Sequence, residues 1–375
     1  MKVLFLTLYP PQAASTRYRV HQFLPYLRDA GIQCDAWSAV PASVYPHLTG
    51  PSRKLPTAFY HLVETPRRFA QVFDSRFYDV VVVQKAVLTA YLRGFGKLLR
   101  SRARRLVLDV DDAVHLAQPH ALGWPWRALV DPDQVKDLMA SADLVLAGNQ
   151  WLVDEVARVD GNAALFPTVV DTERFFPRKT GPDVYRVGWI GNPSTSRALA
   201  TIAKPLERLP NADIVAVGAD ARLKPIPRAE HREWRLDTEV HEIQRFSVGV
   251  MPLEKTAWDR GKCALKALQY MACGVPCVAT PYGAVTEIVI DGVNGVFADT
   301  AEEWVAALER LREKRIRDEM GESARAVVEE RYALKHAVGD LAGLLESIAG
   351  GSTGSASAMS CRVLAWAAAS GSWCF

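Results

Sequence analysis

Short apolar runs separated by helix-length segments dominate this chain. Val3–Leu8, Val80–Val83, Leu106–Val110 and Leu144–Ala147 are continuous, rich in Val and Leu, and bounded by polar stretches. Strands buried on both faces of a parallel sheet read this way. Between them, Arg19–Ala30 and Pro132–Ala142 carry helical spacing. A second series lies at Val187–Ile190, Ile214–Val217, Val248–Met251 and Cys277–Ala279, again with helical segments between. The two series predict two doubly wound α/β domains. Phe175–Asp183, with two prolines, a glycine and several charges, reads as the linker. A boundary near Arg178 gives domains at 1–178 and 179–349.

From Thr300 to about Ala349 the pattern is helical, with Trp304, Ala307, Leu308 and Leu311 on one face. These helices are expected to pack on, or return to, the N-terminal domain. The tail 350–375 turns to Gly, Ser and Ala, then to a short apolar end, and reads as disordered. Formal net charge is only +3, from 45 Lys and Arg against 42 Asp and Glu, too small by itself to imply a nucleic-acid partner, and none is expected. Six single cysteines lack both CxxC spacing and the density of a disulfide scaffold, as expected in a reducing cytoplasm. No apolar stretch reaches the roughly 18 residues of a membrane-spanning helix.

The densest chemical signal runs from Asp259 to Pro276. Gly261 is placed to open a helix whose free N–H groups favour an anion, and Lys262 adds a full charge beside them. Lys262, Lys266, Gln269 and Tyr270 recur at three- and four-residue spacing and share one side; Ala264, Leu265, Leu268 and Met271 take the other. Upstream, Val187–Gly191 is a strand entering a loop of small polar residues. Ser194, Thr195 and Ser196 can cap the next helix and donate to phosphate oxygens, with Arg197 as the charge.

These residues resemble the glycosyltransferases of family 4, whose two Rossmann-like domains face a central cleft (the GT-B fold). Gln269-Tyr-Met-Ala-Cys-Gly-Val-Pro276 is similar to the end of that family's Glu-x7-Glu element. Thr280–Gly295, with Glu287, resembles its Gly- and Glu-containing stretch, Phe166–Pro177 its Pro-Asn-Gly-Val-Asp segment, and Ser247–Pro252 its next strand. The likeness spans about residues 1–345. It implies a nucleotide-sugar donor held by Gly191, Ser194, Thr195, Arg197, Lys262, Lys266, Gln269 and Glu287, with no cofactor and no metal. Two departures stand out: Gln269 replaces the glutamate that holds the donor ribose, and Gly261 replaces the one that touches the transferred sugar. An amide still hydrogen-bonds a ribose hydroxyl.

In the first domain, Tyr9–Arg19 contains no GxGxxG, which argues against a dinucleotide cofactor. The resemblance turns this loop towards the acceptor and the donor phosphates, where Arg17 and Arg19 are suitably basic. Being two residues apart, they cannot both point the same way from a helix, so one is expected to be structural. Asp109, Asp111 and Asp112 end an apolar run, where α/β sheets place ligands. Crowded carboxylates raise one another's pKa, so Asp111 or Asp112 could carry a proton near neutral pH. Aligned by strand, these two replace the family's His-Asp pair. A divalent cation is the other reading of three acids. His115 and His120 are read as packing or surface groups. The basic stretch Arg93–Arg105 suits either an anionic membrane carrying a lipid-linked acceptor or a solvated helix face.

The expected function is transfer of a hexose-like group, with retention, to a hydroxyl on a glycan, lipid-linked or small-molecule acceptor. Asp111, Asp112 and Lys262 are the expected catalytic groups, with Arg17, Arg19 and Asp109 on the acceptor side. The protein is expected in the cytoplasm, peripheral to the inner membrane face in the membrane reading. The rivals are a non-catalytic nucleotide-sugar binder and a sugar-nucleotide epimerase or reductase.

Overall fold

A computed structural model describes residues 1–48, 57–88, 92–116, 129–178, 184–220, 226 and 228–351. The tail beyond 351, His120 and residues 179–183 of the expected linker lie outside these. The chain divides into two compact units: Met1–Thr168 together with the chain from Lys335 onward, and Val169–Leu334. Each is built on one parallel six-stranded sheet.

In the first unit the strands are β1 (Lys2–Thr7), β2 (Gln33–Ser38), β3 (Val80–Gln84), β4 (Leu106–Val110), β5 (Leu144–Ala147) and β6 (Ala163–Leu165), in the order β2-β1-β3-β4-β5-β6. Every residue of β3, β4 and β5 is buried, which accounts for their unbroken apolar runs. The second unit holds β7 (Arg186–Ile190), β8 (Asp213–Val217), β9 (Glu230–Arg232), β10 (Val248–Met251), β11 (Cys277–Ala279) and β12 (Gly295–Phe297), in the order β12-β11-β10-β7-β8-β9. In both sheets the chain starts in an inner strand and winds to either side. The carboxyl ends of β1 and β3, and of β7 and β10, are therefore the switch points where such sheets bind ligands.

The boundary falls at Thr168, not near Arg178. Residues 169–178 belong to the second unit because Val170 forms a parallel bridge with Ala333 and Phe175 is fully buried there. Arg325 reinforces the segment, donating to the Phe175 carbonyl and, at 3.0 Å, to the Thr172 carbonyl. The helical C-terminal region comprises Ala301–Arg310, Lys314–Arg331 and Leu334–Ala349, and only the last counts with the first unit. Among the described residues, no helix is long and apolar enough to cross a membrane.

The pairing of β7 with β10 stops at Gly188 and Gly249. Beyond it the Tyr270 hydroxyl accepts from the Ile190 amide at 3.1 Å and donates to the Val250 carbonyl at 3.4 Å. A side chain thus spans the gap where the strands part. Gly249 makes room for it, since a Cβ there would lie 2.3 Å from the Tyr270 ring.

Candidate functional site

In the second unit, two of the expected donor residues, Gly191 and Lys266, meet at the switch point. Gly191 comes directly after β7, and Gly218 directly after β8 with φ +75°. A Cβ at Gly218 would lie 2.2 Å from the Gly191 carbonyl and 2.9 Å from Trp234 Cβ, so these loops run against each other only because glycine is there. Lys266 reaches over the same place: a Cβ at Gly191 would meet its Cε at 2.8 Å, and its ammonium lies 5.5 Å from the Trp189 ring centroid.

The helix carrying Lys266 begins at Leu265, not at Gly261. A separate turn of helix, Ala257–Arg260, ends at Gly261, and Ala264 adopts φ +50° to start the next one. Lys262 therefore sits in the joint between two helices and pairs with Asp259. Asp259 also forms a capping box with Thr256. Burial works against its charge, but Lys262 and Thr256 hold the carboxyl below the ordinary aspartate range. Gly283 packs on this turn; a Cβ there would come 3.1 Å from the Asp259 and Arg260 carbonyls. The loop leading to Glu287 thus lies against the Asp259–Arg260 turn, with Glu287 itself exposed.

Two expectations along this helix change. Tyr270 faces the core, because its hydroxyl serves the β7–β10 gap. Gln269 is buried, and its amide donates to Glu239 Oε1 at 3.1 Å. Glu239 also takes Trp234 Nε1 at 3.3 Å and Arg174 Nη2 at 2.8 Å. In the loop after β7 the cap is Asn192, whose side chain accepts from the Thr195 amide at 3.1 Å. Ser194 donates to Asn192 Oδ1, Thr195 to the Asn192 carbonyl and Ser196 to the Pro193 carbonyl, so these hydroxyls brace the loop. The loop leads into a 3-10 segment, Pro193–Ile202, with Arg197 exposed on it.

In the first unit, Arg17–His21 forms one π-helical turn after β1. Arg17 donates to the Pro11 and Gln12 carbonyls at 3.5 and 3.4 Å and is buried. Arg19 donates to both Asp109 oxygens and, at 2.7 Å, to the Phe166 carbonyl. Side-chain exposure of 1% for Arg19 and 3% for Asp109 makes this pair an internal strut, not the acceptor-facing group expected. Burial pushes the Asp109 carboxyl up, and Arg19 pulls against it.

Asp111 and Asp112 meet a residue that sequence reasoning missed, Lys85. It lies just past β3 with φ +69°; its ammonium is 3.3 Å from Asp111 Oδ1 and pairs with Asp112. Burial disfavours its charge, yet the two carboxylates outweigh burial and hold its pKa above the ordinary lysine value. A cation thus stands against both of these acids. Asp111 also accepts from Ser15 at 2.5 Å; Gln84 donates to Ser15 at 2.6 Å and accepts from Thr16 at 3.0 Å. The only sequence signal for Lys85 was a single lysine directly after a buried strand. Among the described residues, no group of three or more His, Cys, Asp or Glu is arranged to hold a metal ion.

His115 is buried against Trp151, 3.3 Å from Glu155, and burial lowers its pKa. In the basic stretch, Arg100 and Arg105 reach Asp143, Arg104 reaches Asp79, and Arg102 lies over the Phe73 ring.

Residues 185–314 match the family described as glycosyl transferases group 1. No curated protein matches the chain in sequence. Among solved structures, sucrose-phosphate synthase from Thermosynechococcus elongatus is similar over 93% of this chain and 99% of its own, with TM-score 0.72 and 16% identity. Anabaena HepE, solved with UDP and glucose, is similar over 92% and 100%, with TM-score 0.66 and 17% identity. A glycosyltransferase from Rickettsia africae matches over 92% and 98%, with TM-score 0.65 and 13% identity. The two-unit α/β architecture is thus shared with these proteins. Residues 185–314 form a group 1 glycosyl transferase domain, and the chain is a glycosyltransferase.

Proposed function

We propose that the chain transfers a sugar from a nucleotide-sugar donor to an acceptor hydroxyl, with retention of anomeric configuration. The observation that carries the donor half is the convergence of Gly191, Gly218 and Lys266 at the switch point of the matched domain. The structures of HepE with UDP and with UDP-glucose support a uridine nucleotide as the first to try.

In this reading the glycine-lined loop lets a diphosphate approach the backbone, and Lys266, Lys262 and Arg197 supply positive charge. Charge develops on the departing diphosphate in the transition state, so fixed cations there lower the barrier. Gln269, its amide nitrogen held by Glu239, offers its carbonyl oxygen to the ribose, and Glu287 meets the sugar. Asp111 and Asp112, paired with Lys85, accept hydrogen bonds from acceptor hydroxyls on a glycan, lipid-linked or small-molecule acceptor. The test is a panel of UDP-, GDP- and ADP-sugars monitored by proton NMR, with release of nucleotide and an axial-to-axial product as the expected result. Absence of turnover with every donor sinks the proposal; an inverted product sinks the retention.

A further inference from the structure

Gln269 stands where the resembling family has a glutamate, and Glu239 shows why the exchange is tolerated. Glu239 is buried, and its Oε1 lies 3.1 Å from the Gln269 amide nitrogen. A glutamate at 269 would set two carboxylates at that separation, and one of them would have to take up a proton. With glutamine the contact is a hydrogen bond to a charged acceptor, among the stronger kind. The same carboxylate is anchored by Arg174 and by Trp234, and Trp234 abuts Gly218 beside Gly191. Glu239 thus ties the helix bearing Lys266 and Gln269 to the loops at the ends of β7 and β8.

We propose that Glu239 is a positioning residue of the donor site: it orients the Gln269 amide nitrogen inward, and the pair forms one unit in which a single carboxylate serves both positions. This rests on the donor-site reading above and adds to it a specific dependence of nucleotide affinity on the charge shared by 239 and 269.

The experiment measures UDP affinity by calorimetry, with GDP and ADP alongside, from pH 5 to 8, and records Tm in parallel. Gln269→Glu is expected to bind UDP about tenfold more weakly at pH 8 and to recover towards pH 5, where the shared proton restores the hydrogen bond. Glu239→Gln is expected to lose a similar factor at every pH. The reciprocal Glu239→Gln/Gln269→Glu variant is expected to recover affinity at pH 8. Wild-type affinity in Gln269→Glu at all pH values overturns the proposal. So does a reciprocal variant whose Tm recovers while its UDP affinity does not, since the pair would then serve folding alone. If the reciprocal variant does not fold, the pH profile of Gln269→Glu decides. Failure of the wild-type protein to bind any of the three nucleotides overturns the donor reading itself.

Discussion

The Lys85 ammonium lies 3.3 Å from Asp111 Oδ1, at the carboxyl ends of the adjacent strands β3 and β4. With Asp112 as second partner, one cation neutralises two carboxylates in a place poorly reached by water. Replacing it with Met strands two negative charges, and breaking a buried pair costs about 3 kcal/mol. Urea unfolding of Lys85→Met at neutral pH measures this. The sign of the pH dependence is set by the raised pKa of Lys85. Its contribution is whole below the ordinary lysine value of about 10.4 and fades only as the pH rises past it.

The Arg19–Asp109 pair makes a contrasting prediction. Since it is internal, Arg19→Met should destabilise the protein by about 3–5 kcal/mol. Turnover per folded molecule should change little, and a large selective loss of kcat with normal Tm would return Arg19 to the ligand-facing role.

Tyr270 gives a third. Removing its hydroxyl leaves the buried Ile190 amide without the acceptor it has at 3.1 Å, a loss of about 1–3 kcal/mol. Gly249→Ala forces a methyl group into the ring and should cost at least as much, about 1–3 kcal/mol or more. Denaturation midpoints of both variants test the account.

Lys262→Ala is expected to lower turnover by about a hundredfold if the lysine meets the departing diphosphate. Its partner Asp259 supplies the control. Asp259 is held below its unfolded pKa, so its contribution to stability is present above about pH 4 and is lost as pH falls further. Asp259→Ala should therefore narrow the difference in Tm from wild type as the solution is acidified.

Burial decides what could be read along the chain. All eight expected strands exist, and Leu106–Val110, Leu144–Ala147, Val248–Met251 and Cys277–Ala279 match residue for residue. The four not anticipated, β2, β6, β9 and β12, are the edges of the two sheets. An edge strand is covered on fewer sides, so Gln33–Ser38 and Glu230–Arg232 carry polar residues and show no apolar run. Candidate residues were legible where a residue type stood at a strand end, as for Asp111 and Gly191, or on a helix next to one, as for Lys266. Pairings across the sheet were not: nothing along the chain joins Lys85 to Asp111 or Glu239 to Gln269, because only strand order and helix placement bring them together. The start of the Leu265 helix was missed because Ala264 takes a left-handed conformation that its residue type does not advertise.

The bridge between Val170 and Ala333 has a practical consequence. The Val170 amide donates to the Tyr332 carbonyl at 3.0 Å, and the Leu334 amide donates to the Val170 carbonyl at 2.9 Å. The second unit is thus an insert whose entrance and exit are stitched together, while the first is split into two pieces of chain. Residues 169–334 are thus a self-closed stretch of chain whose two ends lie side by side. The first unit offers no such shortcut: a fragment ending at Thr168 lacks the Lys335–Ala349 stretch that belongs to it.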